Sequence, residues 1–270
     1  MATLTGAHAE RVQRVRELQS VKGRKEHRRF AFEGPTLLQE ALRSHVPIEE
    51  LYVTEPVLEG NALVRELDER GVPVYVVDDR TLRKISDLET PTGLVAVARQ
   101  QTSNVDALLK GPLVLALADL NDPGNVGALV RSAQAFGASG VVHGNLGVDP
   151  YHPKVVRGAM GSIFRLPHAI ASAGDFMAAA RAAGFSVLGL AAGAPDLERV
   201  EVRTPAVLIV GHERRGLGLW QLPGVRLAGI PMNEGAESLN AAVAGSVALY
   251  VVARRCQESL AGPKSQDYPH

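Results

Sequence analysis

The stretch A-V-L-I-V-G-H-E-R-R-G-L-G-L (206–219), followed by V-R-L-A-G-I-P-M-N-E-G-A-E-S-L-N-A-A-V-A-G-S-V-A-L-Y-V-V (225–252), decides the reading of this chain. Residues 206–210 and 225–230 are apolar runs of strand length, and each stops abruptly at Gly or Pro. Each then leads into polar groups that a core strand does not need: His212, Glu213, Arg214 and Arg215 after the first, 233–240 after the second. Ser238 stands as an N-cap, and an apolar helix is expected to run from it through Val252. Ala241, Ala242, Ala244 and Gly245 are small enough for another backbone or a flat ligand to come close. An ordinary α/β core with small residues where helix meets sheet would read the same way, and the residues alone leave both open.

The rest of the composition bounds the answer. At 270 residues the chain can bury one large or two medium cores, and its 46% hydrophobic content is that of a water-soluble globular protein. No apolar run approaches the roughly 20 residues that span a bilayer. The polar, charged start is unlike a signal peptide, so the expectation is a cytoplasmic protein without a membrane partner. Cys256 is the only cysteine, which excludes an internal disulfide and any multi-cysteine zinc site; no histidine spacing is that of a metal site either. Net charge is zero but unevenly spread: eight Lys/Arg fall between Arg11 and Pro35, against Glu17, Glu26 and Glu33. Such a stripe is the electrostatic footprint of a phosphate backbone, or simply a solvated helix face.

Taken in order, Val12, Val15 and Leu18 mark one side of an amphipathic helix over 8–20, which Gly23 is expected to break. Strands are expected at 29–33, 50–54, 72–77 and 93–98, and helices at 36–44 (with Pro35 in its first turn), 61–70 and 81–85. Residues 1–99 thus read as a small α/β/α binding module with no catalytic spacing. The polar segment 100–111 reads as a linker. A second domain over 112–262 opens with the near-continuous apolar run 112–118, as in a buried parallel sheet. Helices follow at 126–136 and 175–183 and strands at 140–143 and 185–190; 263–270 is a tail. The strand, Gly-containing turn and helix at 112–136 invite a dinucleotide site. That site needs G-x-G-x-x-G, whereas Asp122 stands where the first glycine would be and would face the pyrophosphate.

Four blocks carry a more specific signal. N-D-P-G-N-V-G-A-L-V-R-S-A-Q-A-F-G-A (121–138), P-K-V-V-R-G-A-M-G-S-I-F-R-L-P (153–167), V-G-H-E-R-R-G-L (210–217) and I-P-M-N-E-G-A-E-S-L-N-A-A-V-A (230–244) resemble, in order, the SpoU/TrmH family of RNA ribose 2′-O-methyltransferases in the SPOUT superfamily. F-A-F-E-G-P-T-L-L-Q-E-A-L (30–42) is similar to the ribosomal-protein-like substrate-binding module that precedes the catalytic domain in ribosomal-RNA members. The resemblance implies an α/β SPOUT domain with a deep C-terminal trefoil knot and a homodimer through the knot helices. No pattern rule would propose a knot, since threaded chains are very rare.

The resemblance also implies site residues. Gly211, Ile230, Met232 and Leu239 fall on the knot loops that hold S-adenosylmethionine, a cofactor without phosphates, which suits a site with no Gly-rich phosphate loop and no metal. Arg131 matches the family's catalytic arginine, with Asn125, Glu213, Ser238 and Asn240 as polar partners. A guanidinium stays protonated in proteins, so Arg131 acting as a base and Arg131 orienting the 2′-hydroxyl both stand open. Lys22, Arg24, Lys25, Arg28, Arg29, Lys154 and Arg157 are expected RNA contacts, and His212 a rim residue. Where the family commonly has S-L-N-V-S-V-A this chain has S-L-N-A-A-V-A, losing a hydroxyl at Ala242. Ribosomal RNA of the large subunit is the expected substrate; transfer RNA, or RNA binding without catalysis, are the alternatives.

Overall fold

A computed structural model describes residues 3–4, 6, 8–235 and 238–261; the expected tail at 263–270 lies outside these residues. By internal contacts the chain forms two units, 1–101 with 149–165, and 102–148 with 166–270.

The first unit holds β1 (Thr3–Leu4), α1 (Glu10–Glu17), α2 (Val21–His27), β2 (Arg29–Glu33), α3 (Pro35–Arg43) and β3 (Ile48–Val53). It continues with α4 (Glu55–Gly60), α5 (Ala62–Glu69), β4 (Val74–Val76), α6 (Asp79–Ile85) and β5 (Leu94–Arg99). The sheet order is β1-β4-β3-β5-β2, with β5 antiparallel to both its neighbours. Val12, Val15 and Leu18 are buried as their spacing requires, against Tyr52, Leu82, Ile85, Val95 and Val97. The helix expected over 8–20 stops earlier than its pattern. Ser20 caps a second helix by accepting the Gly23 N–H at 3.0 Å, so Gly23 lies inside α2. It is glycine because a Cβ there would lie 2.1 Å from the Glu17 carbonyl oxygen.

The second unit begins inside the segment read as a linker: α7 (Val105–Leu108) buries Leu108, and Ser103 donates its N–H to the His168 carbonyl at 2.8 Å. Then come β6 (Leu113–Leu117), α8 (Pro123–Ala135) and β7 (Gly140–Gly144). The next two helices, α9 (Pro153–Gly158) and α10 (Ser162–Arg165), group with the first unit, although the sequence places them inside 112–262. Aromatic packing decides this: the Tyr151 and Phe164 rings lie 4.5 and 6.1 Å from Phe30, and Asp149 pairs with Arg24. The second unit resumes with β8 (His168–Ala171), α11 (Ala173–Ala182), β9 (Ser186–Leu190), β10 (Ala206–Val210), β11 (Val225–Ala228) and α12 (Ala241–Ala261).

Its sheet is parallel throughout, in the order β11-β9-β10-β6-β7-β8. Every residue of β6, β7 and β10 is buried, as apolar strands covered on both faces must be. Val114, Ala116, Val142 and Val207 meet Phe176, Met177 and Trp220 on one side. Among the described residues no helix is long and apolar enough to cross a membrane. The N-cap expected at Ser238 is instead Asn240, whose Oδ1 accepts the N–H groups of Ala242 and Val243 at 2.9 and 3.2 Å. An Asn at this place accepts two amides that a helix start would otherwise leave unpaired.

Candidate active site

The carboxyl ends of β9 and β10 open onto a cleft enclosing about 610 Å³, part of it continuous with solvent. Four of its lining residues are those expected to hold the cofactor: Gly211, Ile230, Met232 and Leu239. Ala241 and Ala244 line it too, and their short side chains leave the space open. Sequence reasoning missed Leu190, Ala191 and Ala192, which also line it. The available signal was the rule that parallel sheets bind ligands beyond the carboxyl ends of their strands.

Gly211 ends β10 under steric compulsion. A Cβ at this residue would lie 2.2 Å from the Gly216 carbonyl oxygen, because the chain doubles back at once. His212 and Gly216 exchange backbone hydrogen bonds of 2.9 and 2.8 Å across that turn. Glu213 is thereby carried to the tip. Its Oε1 accepts from Asn125 Nδ2 at 3.0 Å, Asn240 Nδ2 at 3.2 Å and the Ala241 N–H at 3.1 Å. Asn240 Nδ2 also donates to Asn125 Oδ1 at 2.9 Å. Asp122 caps α8 through the Asn125 N–H at 2.7 Å. The carboxylate of Glu213 thus sits at the start of α12 and against the first turn of α8, where helix dipoles favour negative charge.

The structure therefore joins Asn125, Glu213 and Asn240 into one hydrogen-bonded group, and places Ser238 on the cleft beside them. His212 lines the same cleft, its Nδ1 accepting the Arg214 N–H at 3.1 Å. Arg131 does not join them. It stands exposed on α8, and among the described residues its side chain makes no hydrogen bond or ion pair. Its neighbour Ser132 is bonded to Ser246 of α12 at 2.7 Å, so the two helices are stitched together just beneath it.

Of the expected RNA contacts, Lys22, Lys25, Arg28 and Lys154 are exposed. Arg24 is not available to RNA: it is fully buried, pairs with Asp149 at 2.6 Å and donates to the carbonyls of Leu18 and Gln19 at 2.8 and 3.0 Å. A guanidinium so enclosed is a structural tie, since a buried charge is kept only with its partners. Arg29 and Arg157 are half-buried and already paired, with Glu49 and Asp87. Cys256 is buried beside the Pro112 carbonyl, where burial pushes its thiol pKa up, consistent with packing rather than reactivity.

Residues 112–250 match the SpoU rRNA Methylase family, and residues 9–96 match the MRM3-like substrate binding domain. The 23S rRNA (guanosine(2553)-2′-O)-methyltransferase RlmP of Bacillus subtilis (strain 168) is 30% identical, over 93% of this chain and 98% of its own. The AdoMet-bound rRNA methyltransferase from Sinorhizobium meliloti superposes with a TM-score of 0.83 and 32% identity, covering 94% of this chain and 98% of that one. The SpoU methyltransferase AviRb from Streptomyces viridochromogenes, in complex with AdoMet, gives a TM-score of 0.81 and 29% identity over 92% and 98% of the two chains.

Proposed function

The chain belongs to the SpoU rRNA methylase family, and from that premise we propose that it transfers a methyl group to a ribose 2′-hydroxyl of RNA, with 23S ribosomal RNA as substrate. The observation that carries this reading is the group Asn125–Glu213–Asn240, closed by hydrogen bonds at the mouth of an apolar cleft. S-Adenosylmethionine, when bound, supplies an electrophilic methyl on a sulfonium, so the protein has only to position and desolvate. The cleft fits that molecule. Leu190, Ile230, Leu239 and Ala244 offer an apolar bed, and among the described lining residues Glu213 is the only carboxylate and there is no Lys or Arg. That set suits a cation without phosphates.

Asn125 and Asn240 hold Glu213 still, and Glu213 in turn holds the starts of α8 and α12 at the cleft. Arg131 orients the 2′-hydroxyl and the adjacent phosphate as a protonated donor. It reaches them from a second subunit. Val243, Val247 and Tyr250 are 51%, 44% and 53% exposed at one face of α12, with the ring of Phe136, which caps α8, against Tyr250. An apolar helix stripe of that kind is covered in a working protein, and a two-fold contact through it pairs the α8–α12 edge with itself. A trefoil knot belongs to the same reading, in which α12 packs on β10 and β6. The free cations Lys22, Lys25, Arg28 and Lys154 contact the RNA backbone.

One experiment tests the proposal. Ribose 2′-O-methylation is mapped across 23S RNA from cells with and without the protein, then restored in vitro with the purified chain and S-adenosylmethionine. A single site that disappears and returns supports it; unchanged maps and no transfer to deficient RNA overturn it.

A further inference from the structure

The carboxyl ends of β6, β7 and β10 carry a second hollow, enclosing about 540 Å³ with part of it continuous with solvent, which shares His212 and Gly216 with the cleft as a common wall. Its frame is built on Asp119. That residue has a φ of 50°, in the left-handed region that L side chains rarely adopt. Its carboxylate accepts the Trp220 Nε1–H at 3.0 Å and the Leu146 N–H at 3.1 Å. Gly144 lies so close that a Cβ there would be 2.1 Å from Asp119 Oδ1. One side chain thus ties together the loops that follow three adjacent strands. Backbone held in a sparsely populated conformation by its surroundings concentrates at functional sites.

What the frame presents is unlike a salt-bridged surface. Leu146 and Leu219 line the hollow while remaining 64% and 69% exposed. Asn121 and Arg215 add an amide and a guanidinium. Apolar faces beside a small hollow, with an amide at its edge, are what an unstacked nucleobase requires: cover for its flat faces and hydrogen bonds for its polar rim. A backbone phosphate would need the cation and not the leucines. The common wall sets any occupant next to the cleft.

Resting on the methyltransferase reading above, we infer that this hollow receives the base of the nucleotide whose 2′-hydroxyl is methylated, with Leu146 and Leu219 against its faces and Asn121 at its edge. The base is then held out of the RNA stack while its ribose lies at the mouth of the cleft. Selectivity for the target nucleotide resides in Asn121, on the loop that precedes α8.

The test uses the full chain, 23S RNA from cells lacking it, and labelled S-adenosylmethionine. Asn121→Ala and Leu219→Ala should each raise KM for RNA by about 5- to 150-fold, the range of one lost base contact, with cofactor affinity by calorimetry unchanged. A short RNA spanning the mapped nucleotide, with that base deleted, supplies the second measurement. The unmodified protein should bind it more weakly than the intact RNA, and Leu219→Ala should bind both alike. Lower cofactor affinity with unchanged KM would assign the hollow to the cofactor instead. Equal binding of intact and base-less RNA by the unmodified protein would show that no base enters it. Methyl transfer by the unmodified protein to the deficient 23S RNA is scored first, so failure of the base site and failure of the reading it rests on are separate results.

Discussion

Asn240 Nδ2 lies 2.9 Å from Asn125 Oδ1, although the two residues are 115 positions apart, and both amides donate to the same oxygen of Glu213. The first turn of α8 and the start of α12, remote in sequence, therefore share one acceptor on the turn after β10. Glu213→Ala removes the acceptor for three donors at once and should lower methyl transfer by about 100-fold or more, the scale of losing a positioned polar group in an active site. Glu213→Gln keeps an acceptor oxygen and should lose less. Single-turnover rates on 23S RNA check the order; equal rates for both variants and the unmodified protein would break the assignment.

Gly211 has no room for a side chain, since a Cβ would press on the Gly216 carbonyl at 2.2 Å. Gly211→Ala should therefore displace the turn and abolish S-adenosylmethionine binding. Calorimetry of the unmodified protein should show that binding in excess chelator as well. A cofactor isotherm that vanishes with the chelator, or survives in Gly211→Ala, contradicts the site as drawn.

Arg131 is exposed and absent from the cleft lining. Arg131→Ala should remove nearly all transfer while cofactor affinity stays within about twofold, as expected for a group that acts only toward the transition state. Retention of most single-turnover activity would mean that the side chain has no part in the reaction.

Tyr250 and Leu249 are neighbours with opposite fates: Tyr250 is 53% exposed and Leu249 is fully buried. Tyr250→Glu should give folded, inactive monomer in sedimentation, whereas Leu249→Glu should fail to fold because it buries an unpaired charge. Mixing Arg131→Ala with Gly211→Ala should restore roughly a quarter of the activity, since half of randomly paired dimers carry one intact composite site of two. No recovery on mixing would argue that each subunit completes its own site.

His143 is fully buried in β7, with its Nε2 unbonded and the His168 ring 5.9 Å away. Burial first, then the neighbouring imidazole, pushes its pKa down to about 3. The folded value lies below the unfolded one of about 6.5, so the unfolded chain binds the extra proton. Stability is therefore full above about pH 6.5 and falls with acidification toward pH 3, by about 2 kcal/mol between pH 7 and pH 5. Urea midpoints at the two values should differ in the unmodified protein and differ less in His143→Gln. A slope unchanged by that substitution would place the acid sensitivity elsewhere.

Much of this molecule is legible one residue at a time. The apolar runs at 112–118 and 206–210 become buried parallel strands, since a strand covered on both faces buries every residue and their length is that of a strand. Gly211, Ile230, Met232 and Leu239 were drawn to one cleft by motif, and they share it. What stayed illegible was which polar or apolar residue of a run faces which way. Arg24 belongs to a basic stripe yet is buried, because Asp149 lies 125 positions away and only folding brings its carboxylate within 2.6 Å. Ser238 and Asn240 are both good caps, and Glu213 decided between them by meeting Asn240 and the Ala241 N–H together.

The sequence by itself determined most of the strands, the longer helices, the family and four residues of the cleft, since these depend on local periodicity and on short motifs. Only the tertiary structure decided that α9 and α10 group with the first unit, that Asp119 ties three loops around a second hollow, and that Tyr250 rather than Leu249 faces outward. The physical reason is the same in each case. Burial and pairing are properties of the surface a residue meets, and that surface is supplied by segments remote in sequence.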